Sequence, residues 1–146
     1  MILADVNLLI YAYNAADGRF PVASKWLEEL LNSDEKACFC WETVNGFLRI
    51  STNSVAMPIP MSLNESFATV ESWLASPNST FLKPTGDHFK ILKEISIEAN
   101  AVGKRFSDAV LAAYAISHNA TFATTDRHFR MFSKLKLIDP LAADRR

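Results

Sequence analysis

The chain opens on Met1-Ile2-Leu3-Ala4, an apolar run without polar alternation that ends at a carboxylate, Asp5. A strand buried on both faces has this pattern, and such strands belong to parallel sheets. The period then changes. Val22, Ala23, Trp26, Leu27, Leu30 and Leu31 recur at helical spacing, Pro21 suits a first helical position, and Asn32-Ser33-Asp34 ends the run. Ala37-Cys38-Phe39-Cys40 reads as a second short strand. Val44, Phe47, Leu48 and Ser51 then interleave with Glu42, Asn45 and Arg49 on another helix. Residues 51–61 form a loop broken by Pro58 and Pro60. Ser62 and Glu65 have the spacing of a capping box, opening a helix whose apolar stripe is read as Leu63, Phe67, Val70 and Leu74.

After the Pro77-Asn78-Ser79 turn, Thr80-Phe81-Leu82 is a third strand. Phe89, Leu92, Ile95 and Ala99 mark a fourth helix, and the alanine-rich residues 107–117 a fifth. Thr121-Phe122-Ala123-Thr124 is a fourth strand, followed by a short helix from Arg127 and a weak strand at Lys136-Leu137-Ile138. Strands alternating with helices predict an α/β fold: βαβ units on a mostly parallel sheet of four to five strands, with helices on both faces. No linker, repeat or low-complexity stretch divides the chain, so one domain over residues 1–146 is expected.

Composition narrows the classes. With 49% hydrophobic and 21% charged residues the chain can bury a core and is not a disordered tail. A net charge of −1 excludes coating nucleic acid by bulk positive charge, though not a local basic groove built from Arg19, Lys104, Arg105, Arg127 and Arg130. Cys38 and Cys40 share a strand face and read as buried thiols in a reducing, cytoplasmic setting. No apolar run reaches the roughly 18 residues that span a bilayer, and the apolar N-terminus lacks a basic flank and contains Asp5. The four glycines make neither GxGxxG nor GxxxxGK, so the usual nucleotide cradles are absent.

Parallel sheets place their sites beyond the carboxyl ends of the strands. Asp5 follows the first strand, Glu42 lies just beyond the second, and Asp126 follows the fourth. Asp108 joins them if its helix starts at the same edge. Each acid alone also reads blandly, as a turn cap, an exposed helical Glu or a helix-dipole partner. Together they map to one rim. Two carboxylates about 5 Å apart repel by roughly 3 kcal/mol at an effective dielectric of 20, and a divalent cation removes that cost. An oxygen-only donor set favours Mg²⁺ or Mn²⁺.

Four stretches carry a family resemblance: Asp5-Val6-Asn7-Leu8-Leu9; Glu42 with Gly46, Phe47 and Arg49; residues 106–115 from Phe106-Ser107-Asp108 onward; and Thr124-Thr125-Asp126-Arg127-His128-Phe129, with a terminal Asp139-Pro140-Leu141. In this order they resemble PIN-domain nucleases, and most closely the VapC-type toxins of prokaryotic toxin–antitoxin modules. The resemblance implies a three-layer α/β/α sandwich and a metal-dependent endoribonuclease acting on structured RNA such as tRNA or rRNA. It also implies a homodimer and a cognate VapB-type antitoxin whose C-terminal segment lies in the active-site groove. On the matched positions Asp5, Glu42, Asp108 and Asp126 would be the acidic quartet. Asp5 and Asp108 would ligate Mg²⁺ or Mn²⁺ directly, and Glu42 and Asp126 partly through water. Asn7 and Thr125 would orient Asp5 and Asp126. Many relatives carry a further Asp or Asn where this chain has His128, a departure that favours one held ion over a two-metal site.

Other residues keep two readings. Gly46, one turn from Glu42, either opens space for substrate or lets two helices pack closely. Arg49, Arg127 and His128 either meet substrate or are ordinary solvated side chains. The apolar loop residues Met57, Ile59 and Met61 are available to a partner. Two competing functions remain at this level. One is a catalytically silent PIN-like module that binds RNA or protein. The other is a phospho-acceptor α/β domain, against which Asn7 and Lys83-Pro84 stand where such domains need an acid or an acceptor.

Overall fold

The computed structural model describes residues 1–142. Five short strands form one parallel sheet: β1 (Ile2–Ala4), β2 (Ala37–Phe39), β3 (Ser79–Phe81), β4 (Thr121–Ala123) and β5 (Lys136–Ile138), in the order β3-β2-β1-β4-β5. Among the described residues six helices connect them: α1 (Val6–Tyr11), α2 (Phe20–Leu31), α3 (Trp41–Ser51), α4 (Leu63–Leu74), α5 (His88–Glu98) and α6 (Lys104–Ser117), with a 3₁₀ turn at Arg127–Met131. Side-chain alternation divides the core between the two faces. Leu3, Cys38 and Phe122 face α5 and α6, with Tyr114, Phe129 and Phe132 completing that layer. Ala4, Ala37, Phe39 and Ala123 face the layer of α1 to α4. There Trp73 stacks on Phe39 at 5.3 Å, meets Phe47 edge-on at 4.6 Å, and donates its indole N–H to Tyr13 at 2.7 Å.

The strands and most helices stand where the hydrophobic pattern puts them. Four details differ. A six-residue helix, α1, follows β1 directly, where the hydrophobic pattern predicts no element; Leu8, Leu9 and Ile10 are buried on so short a segment that no full helical period is visible. On α4 the inward row is Ser66, Val70 and Trp73, whereas Leu63, Phe67 and Leu74 are exposed. The expected stripe is therefore rotated. The large Trp73 ring decides the buried face, and Ser66, which reads as a surface residue, hides its hydroxyl by bonding Ser51 at 2.6 Å. Phe89 likewise lies outside while Ile95 is buried.

The last correction bears on the site. Helix α6 begins at Lys104, not at 107. Gly103 precedes it at φ 59, a left-handed backbone that glycine adopts without strain. Asp108 thus sits in the second turn, one turn past Arg105, and is not a first-turn dipole partner.

Candidate active site

Strand order reverses around β1, which lies between β2 and β4, and open sheets form their crevice at such a point. Asp5 leaves β1 there. Its N–H donates to the Ala123 carbonyl at 2.9 Å, and the β1–β4 register sets it beside Thr124. The Thr124 hydroxyl donates to the Asp5 carboxylate at 2.7 Å and accepts the Asp126 N–H at 3.0 Å, so one buried hydroxyl links two of the acids. Asp5 is only 6% exposed. Burial pushes its pKa up to about 6; the Thr124 bond opposes the rise, and the charges of Asp126 and Asp108 add to it.

Asp108, on α6, comes within electrostatic reach of Asp5. Burial raises its pKa against the pull of Arg105, whose guanidinium pairs with it at 3.2 Å, and the Asp126 charge raises it further. Asp126 caps the 3₁₀ turn. Partial burial works to raise its pKa, but the His128 N–H at 2.9 Å and the His128 ring at 2.8 Å outweigh it, and the net shift is downward. Three aspartates from β1, α6 and β4 therefore sense one another's charge.

Glu42 stands slightly apart. It is exposed on the first turn of α3 and accepts the Tyr114 hydroxyl of α6 at 3.3 Å. Burial, and next to it the Glu42 charge, push the Tyr114 pKa up to about 12, so this hydroxyl remains a donor. The His88 ring packs on Tyr114 at 4.7 Å between centroids. Glu42 opens onto a groove of about 680 Å³ that Asn7, Asn45, Arg49, Phe106 and Ser107 also line. Thr125 and Arg127 line a different cleft, together with Asp126.

Neither Asn7 nor Thr125 makes a hydrogen bond to Asp5 or Asp126 among the described residues; Thr124 serves both. A Cβ built at Gly46 would lie 2.9 Å from Val6 Cγ2, so the glycine serves the close approach of α3 to α1, and it also lines the Glu42 groove. Thr124 and Tyr114 lie in the matched stretches, but the sequence pattern assigns neither of them a role. The β1–β4 register would have found Thr124, because it follows Ala123 as Asp5 follows Ala4. Nothing local in the sequence marks Tyr114.

Among the described residues no group of three or more His, Cys, Asp or Glu side chains stands close enough to form a ready-made metal cage. Each acid is instead turned to a local donor: Thr124, Arg105, His128 or Tyr114. In chemistry the donors still suit a hard divalent cation, being all carboxylate, with a buried member whose charge its neighbours disfavour.

Residues 2–135 match the PIN-domain family model. The chain belongs to the PIN-domain family. Within it, the chain is 33% identical over 141 residues to a protein named VapC ribonuclease from Mycobacterium bovis, covering 97% of this chain and 96% of that one. It is 28% identical over 142 residues to Ribonuclease VapC37 of Mycobacterium tuberculosis, covering 97% and 99%. Among solved structures, VapBC-1 from nontypeable Haemophilus influenzae superposes with a TM-score of 0.70 at 17% identity, over 96% of this chain and 98% of that one. VapBC2 from Rickettsia felis gives 0.68 at 17% identity, over 94% and 98%. Both solved structures share the fold described above.

Proposed function

We propose that this PIN-domain chain is a VapC-type endoribonuclease that uses Mg²⁺ or Mn²⁺ to cleave structured RNA such as tRNA or rRNA. The observation that carries the reading is the buried Asp5, fixed by Thr124 at 2.7 Å with Asp108 and Asp126 in electrostatic reach, at the carboxyl edge of a parallel sheet. The named ribonuclease relatives, similar from end to end, support it. Asp5 and Asp108 would hold the metal, with Glu42 and Asp126 completing its surroundings. When bound, such an ion polarises a phosphoryl oxygen and makes a water nucleophilic near neutral pH.

The chain's own residues prepare that site. Thr124 fixes the Asp5 carboxylate and the Asp126 backbone relative to each other. Arg105 partly neutralises Asp108, limiting the repulsion among three acids. Arg49, on the wall of the Glu42 groove, offers a guanidinium to an RNA phosphate.

The test is cleavage of tRNA and rRNA fragments with added Mg²⁺ or Mn²⁺, with and without chelator, in the wild type and in Asp5→Asn. The expected result is cleavage that chelation abolishes and that Asp5→Asn lowers by about 100-fold or more. Cleavage indifferent to both overturns the metal mechanism. A second reading, a catalytically silent PIN module, is favoured by one observation: each acid is already engaged by a local donor. Failure to bind Mn²⁺ in calorimetry would select it.

Two partners complete the reading. The VapBC complexes that share this fold are toxin–antitoxin assemblies, and we expect a VapB-type antitoxin to occupy the Glu42 groove. Co-expression with the neighbouring small reading frame should give a stable complex that no longer cleaves RNA. The exposed Leu63, Phe67 and Leu74 row is apolar surface available to a homodimer, to be read by light scattering.

A further inference from the structure

We propose that the cleft between the 3₁₀ turn and β5 is a nucleotide subsite, holding the RNA residue next to the phosphate cleaved at Asp5. The inference rests on the nuclease reading above and extends it to how the substrate strand is held. The cleft has a volume of about 460 Å³, within the roughly 300–1,000 Å³ of small-molecule pockets. Thr125, Arg127 and Arg130 line it together with Leu137 and Ile138 of the edge strand.

Its chemistry is two-sided. Arg127 and Arg130 are exposed and have no carboxylate partner among the described residues. Leu137 pairs with Phe122 and so lies on the sheet face that carries the 3₁₀ turn, where it leaves 36% of its surface in solvent; Ile138 pairs with Ala123 and turns its side chain to the opposite face. A ligand that satisfies both must carry an anion and a flat apolar face, as a nucleotide does. The base would lie against Leu137, and its phosphate would face the two guanidiniums and the Thr125 hydroxyl. Two carboxylates, Asp126 and Asp139, also line the cleft, and part of their hydrogen bonding is taken up locally. Asp126 accepts twice from His128, and Asp139 accepts the Leu141 N–H at 3.0 Å.

Position ties the cleft to the acids. Thr124 and Asp126 border it, and Thr124 is the residue that bonds Asp5. A strand with a phosphate at Asp5 therefore passes directly into the cleft with its neighbouring nucleotide.

The test uses fluorescein-labelled single-stranded RNA of roughly two to eight nucleotides in EDTA, read by anisotropy, with the wild type, Arg127→Ala, Arg130→Ala, the double variant and Arg130→Lys. The subsite predicts that the wild type gains affinity once the oligonucleotide reaches the cleft and that the double variant gains about tenfold less. Each lost arginine should reduce the salt slope by about 0.7, the single-strand value. Arg130→Lys should recover most of the salt slope. An abasic nucleotide at the cleft position should weaken wild-type binding several-fold, and that loss should disappear in Leu137→Ser. In cleavage assays the double variant should raise KM more than it lowers kcat. A wild type that cleaves RNA while the double variant keeps its KM, its length dependence and its salt slope overturns the subsite and leaves the nuclease reading standing. A wild type that cleaves no RNA with either metal overturns the nuclease reading instead.

Discussion

Asp5 carries a cost that its neighbours reduce but do not remove. Its carboxyl is buried beside two other acids, and its pKa of about 6 stands above the ordinary 3.8. An acid with a raised folded pKa takes up protons on folding between those two values. Stability of the metal-free chain therefore falls as pH rises from about 4 to about 6, and stays at the lower level above that. Asp5→Asn keeps the acceptor for Thr124 and removes the charge. It should be more stable than the wild type by on the order of 1–3 kcal/mol at pH 7.5 in EDTA, with the gap closing near pH 4. Thermal melts across that range check the sign, and an equal gap at both ends would refute the burial argument. Tyr114→Phe removes only the hydroxyl that reaches Glu42. It should cut cleavage by about tenfold with little change in melting temperature. In a Glu42→Gln background the same change should cost much less, which a double-mutant cycle reads directly.

Elements show what the pattern could and could not reveal. Strands β1 to β4 stood out because continuous apolar runs bounded by turns have few other meanings in so short a chain. Three of the four acids were legible for the same reason, each falling just past a strand. Helix α1 was hidden because six residues do not complete two turns. The buried face of α4 was misread because Ser66 hides by pairing with Ser51, a partner 15 residues away. Tyr114 was illegible because its role exists only across the α3–α6 contact. The α1–α3 contact offers a test of its own. A methyl at Gly46 would strike Val6, whose β-branched side chain has little room to swing away. Gly46→Ala should destabilise by about 1–2 kcal/mol, overpacking outweighing the roughly 1 kcal/mol gained in helix propensity. Pairing it with Val6→Ala should recover most of the loss, measured by urea denaturation.

Across the whole molecule, the order β3-β2-β1-β4-β5 gathers distant segments at one edge. Asp5 and Thr124 touch although 119 positions separate them. Such a site forms only when the sheet is complete, so metal binding and folding should be linked. At Mn²⁺ concentrations near 100 times its Kd, the wild type should gain about 2.7 kcal/mol of stability, and Asp5→Asn far less. Differential scanning with and without chelator separates the two.

Both thiols lie in the core layer under α5 and α6, and Cys40 is also the residue from which α3 starts. Burial pushes the Cys40 thiol up to about 11, which makes it nearly inert toward alkylating reagents while the native packing holds. That turns a silent pair into a built-in clock. The rate at which a maleimide consumes these sulfurs measures how often the junction beneath Glu42 springs open, and an antitoxin or an ion that clamps the rim should slow the clock without ever touching the sulfur.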